Sequence, residues 1–229
     1  MIRRIRTTIL PAAAGLMLLC YAGGSGAQPI LAIGPDAEVT EDGLHRVDPS
    51  IMEQAWVKPD LNLRRYTKIL YMPAGVQFRD VRNQRYDPRT GSLVTVFPIS
   101  DEMKALMREA WGQSFYEHLA EVESYEFYES VGRDVLMVQG FLIDVISSMP
   151  PDNRTGVFIR TVEGPWTVSA VLVLRDSMSN DILARTIDRQ HTHGLIDPVQ
   201  LPWVTRNMAE SLSQLLGLRL EQLADLGGQ

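Results

Sequence analysis

Two runs of apolar and β-branched residues surround a short polar break in the C-terminal half of the chain. The first run is Val168 to Leu174, the break is Asp176 to Asp181, and the second run is Ile182 to Ile187. A cluster of Ser, Asn and Asp between two such runs is typical of a β-hairpin turn. Both faces of the first run are apolar, so the pattern predicts a hairpin between Trp166 and Arg189 whose first strand lies inside a sheet.

Further segments have the pattern of strands. Tyr66 to Met72 predicts a strand that Pro73 ends, and Leu93 to Phe97 predicts a short strand. Asp134 to Ile146 is apolar on both faces, which predicts a second interior strand. Gly140 in the middle of that strand predicts a bulge or a close backbone approach.

Two segments have helical periodicity. Ser100 can cap the first helix, whose apolar residues recur every three or four positions through about Val122. Pro202 suits the first turn of the second helix. The apolar stripe of the second helix consists of Val204, Met208, Leu212, Leu215, Leu216, Leu220 and Leu223.

Strands outnumber helices, and the helices lie toward the two ends of the strand set. This arrangement predicts an α+β fold, in which a mixed or antiparallel β-sheet packs against two amphipathic helices as a two-layer sandwich. The predicted domain covers residues 66–229. Residues 28–65 have no lasting period and contain Pro29, Pro35, Pro49 and Pro59. They are interpreted as an extended N-terminal arm packed on the domain, with a partly disordered linker as the alternative.

The first 27 residues have the order of a secretory signal peptide. Met1 to Arg6 carries three arginines, an apolar stretch from Ile9 to Ala22 follows, and small residues occupy positions 23–27. Ser25 and Ala27 have the spacing that a signal peptidase requires, which predicts cleavage before Gln28. The protein is therefore expected to be exported to the periplasm, with outer-membrane association as an open possibility.

Cys20 is the single cysteine of the chain. A lipoprotein site requires a small residue before the lipidated cysteine, whereas Leu19 stands there, so cleavage after Ala27 is the favoured interpretation. The mature chain would then have no cysteine and could form neither a disulfide nor a thiolate metal site.

The predicted mature chain is acidic. The full sequence has 22 basic and 28 acidic residues, and without Arg3, Arg4 and Arg6 the counts are 19 and 28, a formal charge of −9. Such a chain repels nucleic acid unless it carries a basic patch. The sequence after residue 27 has no second long apolar stretch, so no membrane span is predicted there, and peripheral association with a membrane stays open.

Motifs of several enzyme classes are absent from the sequence. It contains neither a G-x-x-x-x-G-K phosphate loop nor a G-x-S-x-G elbow, and no G-x-G-x-x-G follows a predicted strand. The sequence therefore predicts no catalytic residue and no cofactor.

His191 and His193 form the best candidate for chemistry. Two histidines at i and i+2 on an extended segment project the same way, so both imidazoles can reach one zinc or copper ion. Asp188 and Asp197 lie nearby in sequence. The favoured interpretation is nevertheless an exposed loop without a ligand, so no metal ligand is assigned.

Charged residues suggest two further candidates. Arginines at 79, 82, 85 and 89 form a local basic excess that can receive an anionic partner or can simply be a solvated loop. Acids and arginines also alternate around the hairpin, where they can act in acid–base chemistry or pair across the strands for structural reasons. The structural interpretation is favoured, since no histidine or nucleophile follows a fixed pattern beside these charged residues. They are Arg175, Asp176, Asp181, Arg185, Asp188 and Arg189.

Seven segments of the chain recur in a constant order in other proteins. They are Glu41–Val47, Ala55–Asp60, Arg65–Leu70, Ile99–Glu102, Asp134–Val145, Met149–Asp152 and Leu174–Arg189. In these segments the chain resembles a family of uncharacterised secreted bacterial proteins that is classified as a domain of unknown function, and many of its members look like envelope lipoproteins. The hairpin is the most specific segment, and there the family usually has a glycine near Asn180. The resemblance implies a cell-envelope protein without an assigned reaction, and it implies that Glu41–Asp60 belongs to the domain.

Three functions are compatible with these observations. The favoured one is a non-enzymatic accessory protein that docks on an envelope protein through its sheet or its arginine-rich loop. The first alternative is a metal-binding protein or metal-dependent hydrolase that uses His191 and His193. The second is a binding protein for a small apolar ligand, held between sheet and helices. The oligomeric state is left open.

Overall fold

The predicted hairpin lies in the middle of the main sheet. The structure is a computed structural model that describes residues 31–32, 34–81, 85–87, 92–94, 96–150 and 161–226. The helices are α1 (Asp101–Ala120) and α2 (Leu201–Leu226), and a short 3-10 helix spans Leu63–Arg65. The strands are β1 (His45–Arg46), β2 (Ala55–Val57), β3 (Lys68–Phe78), β4 (Arg85–Asp87), β5 (Ser92–Val94), β6 (Glu126–Phe127), β7 (Val135–Ser147), β8 (Val162–Glu163), β9 (Trp166–Asp176), β10 (Ile182–His191) and β11 (Leu195–Ile196).

The main sheet is mixed and has seven strands. Their order is β1-β2-β10-β9-β7-β3-β6. Strand β3 runs parallel to β7 and to β6, and all other neighbours in this sheet are antiparallel. Two small ladders, β4 with β5 and β8 with β11, complete the described strands. Strand β9 has a neighbour on both sides, as its two apolar faces predicted.

Both helices pack on one face of this sheet. Alternate residues of β9, from Val168 to Leu174, lie in the core together with the buried stripe of α2. Helix α1 contributes Trp111 and Phe115, which are at most 1% exposed. The second layer is therefore helical, and the predicted α+β fold is confirmed.

Helix α1 begins where its sequence predicted. The Ser100 hydroxyl accepts a hydrogen bond from the Met103 amide at 3.2 Å and so satisfies one of the free amides of the first turn. The helix lies close to the sheet at Gly140, where an added Cβ would stand 2.7 Å from the Phe115 ring. The register of Gly140 with Leu172 of β9 is regular, whereas the ladder between β7 and β3 shifts its register beside Gly140, between Met72 and Gly75 of β3. The predicted close approach exists, but an aromatic side chain makes it and not a backbone.

The prediction that Pro73 ends the strand that begins near Tyr66 is wrong. Strand β3 continues through Pro73 to Phe78, with a register shift between Met72 and Gly75. Strand β6 pairs only with Lys68 and Ile69, so at Pro73 the strand has a neighbour in this sheet on one side only. Proline has no amide hydrogen. On the side of a strand that has no neighbour, this removes no hydrogen bond of the sheet.

The segment before Tyr66 contributes to the main sheet. Its strands β1 and β2 continue the sheet beyond β10. Leu44, Val47 and Val57 are at most 1% exposed. Residues 44–57 therefore take part in the main sheet and its hydrophobic core.

Several predictions concern residues outside the described ranges. They include the signal peptide, Cys20, the glycines at 227 and 228, and Arg82 and Arg89 of the arginine-rich loop. In the described part of the chain, no helix combines the length and the apolar character that a membrane span requires.

Candidate functional site

A groove lies between the end of β10 and the first half of α2. Its volume is about 480 Å³, within the range of about 300–1,000 Å³ that is usual for ligand sites. Among the described residues, no aspartate, glutamate, lysine or arginine lines it. The residues that line it are Val168, Gln190, His191, Thr192, His193, Ile196, Trp203, Val204, Asn207, Met208, Ser211, Leu212 and Leu215.

Helix α2 forms one wall of the groove. Its lining residues recur over three turns from Trp203 to Leu215, a length of about 18 Å at 1.5 Å per residue. Val204, Met208 and Leu212 are buried and form the apolar floor. The groove is therefore elongated, with an apolar floor and a polar edge that includes Asn207 on the helix.

Local hydrogen bonds hold this wall in place. The Asp197 carboxylate accepts hydrogen bonds from the amides of Val199 and Gln200 at 2.8 and 3.0 Å, just before α2 begins. The Trp166 indole N–H donates to the buried Thr205 hydroxyl at 3.1 Å and so fixes α2 to the start of β9. The two contacts position the start of α2 beside β9.

Both predicted histidines lie at the groove. The His191 Nδ1 and the Thr167 hydroxyl are 2.8 Å apart and share a hydrogen bond. A hydroxyl beside an imidazole is part of a nucleophile–base arrangement, which also requires a third group that orients the imidazole. Within the described ranges, no second side chain is hydrogen-bonded to His191 to serve as that third group.

The carboxylates that the sequence suggested for a metal site have other contacts. Asp188 forms an ion pair with Arg219 of α2 at 2.5 Å, and Asp197 accepts the two amides before α2. Within the described ranges, no group of three or more His, Cys, Asp or Glu side chains is placed to hold a metal ion. The geometry therefore brings His191 and His193 to one groove, and the described part of the chain adds no third ligand there.

Trp203 adds exposed apolar surface to the groove. It is one of the lining residues, and its side chain is 63% exposed. Leu195 and Val199, which precede it in sequence, are 67% and 82% exposed. Exposed apolar surface that continues a groove indicates a binding surface more often than isolated exposed side chains do.

The remaining charged residues of the hairpin separate into different contacts. Asp181 pairs with Lys58 at 3.6 Å, Arg185 pairs with Asp42 at 2.9 Å, and Arg175 donates to the Asn180 carbonyl at 3.1 Å. Arg189 is exposed and has no ion pair within the described residues. These groups do not converge on one point.

Asp176 lies at the turn end of the hairpin, beside a smaller cavity of about 190 Å³. Its carboxylate accepts hydrogen bonds from the amides of Met178 and Ser179, both at 2.9 Å, and from the Tyr66 hydroxyl at 2.7 Å. The Arg65 guanidinium donates to the same carboxylate at 2.8 Å.

The environment of this cluster shifts the pKa values of Tyr66 and Asp176, and the hydrogen bond to Tyr66 raises that of Arg65. Burial raises the pKa of Tyr66 from 10.0 to about 12. Burial also raises the pKa of Asp176, but the hydrogen bonds from Ser179, Tyr66 and Met178 outweigh it and hold the pKa below its ordinary value. The cluster is thus an ionised carboxylate surrounded by donors, which ties the residues before β3 to the hairpin turn.

The arginine-rich loop is described only in part. Arg79 forms an ion pair with Asp144 of β7. Asp144 has a φ of 57°, next to a register shift between Ile143 and Ile146. The charge of Arg79 is therefore paired within the fold.

Sequence reasoning missed Trp203, and it offered a site between sheet and helices only as an alternative, without lining residues. Trp203 lies directly before the predicted apolar stripe of α2, which begins at Val204. A large aromatic residue outside such a stripe is a signal for an exposed contact. The groove depends on how far α2 stands from the end of β10, which no local pattern encodes.

Neither a search against models of protein families nor a search of curated proteins finds a match for this chain. Solved structures do resemble it. Protein XCC0632 from Xanthomonas campestris, assigned to the family DUF330, is 11% identical with a TM-score of 0.38, over 69% of this chain and 85% of that protein. The likeness therefore includes one member of a bacterial family of unknown function.

Two other solved structures are similar at the same level. PelC from Paraburkholderia phytofirmans, crystallised as a dodecamer, is 12% identical with a TM-score of 0.33, over 77% of this chain and 96% of PelC. A neuraminyllactose-binding hemagglutinin homolog from Helicobacter pylori is 8% identical with a TM-score of 0.36, over 72% and 89% of the two chains. None of the three is described as an enzyme.

Proposed function

We propose that this protein is a non-catalytic binding protein of the bacterial cell envelope, which holds a segment of another protein in the groove between β10 and α2. The observation that carries the proposal is the exposed Trp203 side chain, which lines a groove with an apolar floor. Tryptophan is enriched among the residues that dominate binding energy at protein interfaces. The proposal places the interface at α2 rather than at the arginine-rich loop.

The polar groups of the groove also suit a polypeptide partner. Gln190, Asn207 and Ser211 can donate and accept hydrogen bonds, as a peptide backbone requires. The groove has no charged wall residue that would demand an ionic ligand. Polar groups beside an apolar floor resemble the composition of protein interfaces, in which an apolar centre has a polar rim.

The proposed location is the periplasm, with residues 1–27 as the export signal. Mass spectrometry of the protein isolated from its native cell should find Gln28 as the N-terminal residue. An N-terminal lipidated Cys20 would instead assign the protein to a membrane as a lipoprotein. A chain that keeps Met1 would contradict export.

Cross-linking from inside the groove tests the proposed function. A photo-reactive amino acid replaces Trp203 in cells that express the protein, and Leu218 serves as the matched control position. Leu218 lies on the same helix, is 56% exposed and is not part of the groove. We expect a protein that is captured from position 203 and not from position 218.

The captured protein is then purified and its affinity measured by calorimetry. Trp203→Glu should weaken binding more than about tenfold, while Leu218→Glu should leave it within about threefold. The same proteins captured from both positions, or equal affinities for the two variants, would contradict the proposal.

A small amphiphile is the second candidate for the groove, since a volume of about 480 Å³ also suits a small molecule. A fluorescent anilinonaphthalene sulfonate probe tests this alternative. Saturable binding of one probe per chain that Trp203→Glu abolishes, together with no cross-linked protein from position 203, would favour the small ligand.

A further inference from the structure

We propose that the bound segment adds to the main sheet as an extended strand along the free edge of β10, with apolar side chains toward the groove and acidic side chains toward Arg189. This inference rests on the proposed function, because it names the conformation and the chemistry of the partner. Its support is the backbone of β10, the position of α2 and one arginine.

Strand β10 has a free edge beside the groove. It pairs with β9 over its whole length, from Ile182 to His191, but with β2 only from Ala184 to Thr186. The Ile187 amide still donates to the Gln54 carbonyl at 2.9 Å. Beyond Ile187, no strand among the described residues pairs with this side of β10.

The backbone groups of Arg189 and His191 point toward this free edge. The Thr192 amide donates to the Trp166 carbonyl on the β9 side, whereas the Ile187 amide donates to the opposite side. Successive residues of an antiparallel strand direct their amide and carbonyl groups to opposite sides. Arg189 and His191 therefore present two amides and two carbonyls that an added strand can bind.

The groove lies on the helix-covered face of this edge. Gln190 pairs with Val168, and both line the groove, while Asp188 contacts Arg219 of α2. A strand added about 4.8 Å from β10 directs alternate side chains to that face. Apolar side chains at those positions would enter the groove next to Met208 and Leu215.

The other side chains of an added strand would meet Arg189. Arg189 shares its face of β10 with Arg185, four residues earlier. Arg185 pairs with Asp42, whereas Arg189 has no ion pair in the described part of the chain. Opposite charges on neighbouring strands attract, so an acidic residue is favoured opposite Arg189.

The length of the groove limits the bound segment. At about 3.3 Å per residue, the 18 Å of α2 that line the groove match about five residues of an extended chain. The structure therefore assigns a segment of about five residues in which apolar and acidic side chains alternate. In this recognition mode, backbone hydrogen bonds supply affinity and the pockets for alternate side chains supply specificity.

A library of random linear octapeptides displayed on phage supplies the probe. It is selected on the full chain and counter-selected on Trp203→Glu, and the selected peptide is synthesised in two N-methylated forms. Each form carries N-methyl groups on one of the two alternating sets of residues. Methylation of the set that faces β10 should weaken binding more than about tenfold, and methylation of the other set should leave it within about threefold.

Two further measurements apply to the same peptide. Exchange of the Arg189 and His191 amide hydrogens should slow when the peptide binds, since both amides become hydrogen-bonded. Arg189→Glu should weaken binding of the acidic peptide, whereas Arg133→Glu, an exposed arginine outside the groove, should not.

The outcomes separate the two proposals. A peptide that depends on Trp203 but responds equally to both methylation patterns would overturn strand addition and leave the proposed function standing. A selection that yields no peptide dependent on Trp203, together with the failure of cross-linking from that position, would overturn both.

Discussion

The two ends of the β9–β10 hairpin differ in how completely their polar and apolar groups are satisfied. At the turn end, Asp176 accepts hydrogen bonds from two amides, a hydroxyl and a guanidinium. At the other end, the backbone edge of Arg189 and His191 has no pairing strand within the described residues, and Trp203 stands 63% exposed. The turn end stabilises the fold, whereas the other end offers groups that a partner can satisfy.

This contrast separates residues that stand out by their shifted pKa values from residues that stand out by their exposed apolar surface. The turn end includes the shifted pKa values of Tyr66 and Asp176. Such shifts are often used to locate functional sites, although structural ion-pair networks shift pKa values as well. The Asp176 carboxylate already accepts from two amides, a hydroxyl and a guanidinium, so little of its hydrogen-bonding capacity is left for a ligand. At the groove end, Asp188 is paired with Arg219, and the exposed Trp203 and the free backbone edge point to binding.

The largest effect on stability is expected from Asp176→Ala. The substitution removes the acceptor of the Met178 and Ser179 amides and of the Tyr66 hydroxyl. The Asp176 side chain is only 13% exposed, so water has limited access to replace it. The free energy of unfolding should fall by about 3 kcal/mol, as measured by urea denaturation. Asp181→Ala is the matched control, since that side chain is 60% exposed and should change stability by less than about 1 kcal/mol. Equal losses for the two variants would remove the distinction between the ends.

Alkaline pH should weaken the turn end through Tyr66. Its pKa is raised from 10.0 to about 12, so its contribution to stability is complete below pH 10 and is lost as the pH rises toward 12. Between these values, the free energy of unfolding of the wild type should fall by about 2–3 kcal/mol more than that of Tyr66→Phe. Urea denaturation at several alkaline pH values measures the difference. Parallel curves for the two proteins would show that Tyr66 does not couple ionisation to folding.

An intermediate effect on stability is expected from Thr205→Val, where helix α2 contacts Trp166 of β9. Thr205→Val leaves the buried Trp166 indole N–H without its acceptor, which should cost about 1–2 kcal/mol. Ser213→Ala is the control, because that buried hydroxyl bonds only to the carbonyl of Ala209 on its own helix. Urea denaturation of both variants should show a clearly larger loss for Thr205→Val. A larger loss for Ser213→Ala would show that α2 is not held through Trp166.

Residue patterns predicted those helices and strands that bury one face, or both faces, throughout their length. The hairpin, the interior strand β7 and both helices follow from alternation or from the spacing of three and four, because each buries the same face turn after turn. The course of β3 through Pro73 could not be predicted, since it depends on β6 covering only two residues of that edge. Strand β2 was missed for a related reason, because its three residues are too short for a period.

The candidate site was predictable only in part. His191 and His193 were recognised from their spacing, and they do lie at the groove. The ion pair of Asp188 with Arg219 could not be read from the sequence, since it joins β10 to a helix turn 31 residues later. The free edge of β10 depends on where β2 stops, which is a property of the assembled sheet.

The smallest effect on stability is expected from Trp203→Ala, and this prediction tests the comparison most directly. A side chain that is 63% exposed gains little from folding, so the free energy of unfolding should change by no more than about 0.5 kcal/mol. Leu218→Ala, on the same helix and 56% exposed, should behave in the same way. Urea denaturation of both variants measures the change. A loss of more than about 2 kcal/mol for Trp203→Ala alone would mean that Trp203 supports the fold, and its exposure would then no longer indicate a partner. A small loss, combined with weakened binding of the cross-linked protein, would mean that this large apolar side chain serves binding rather than folding.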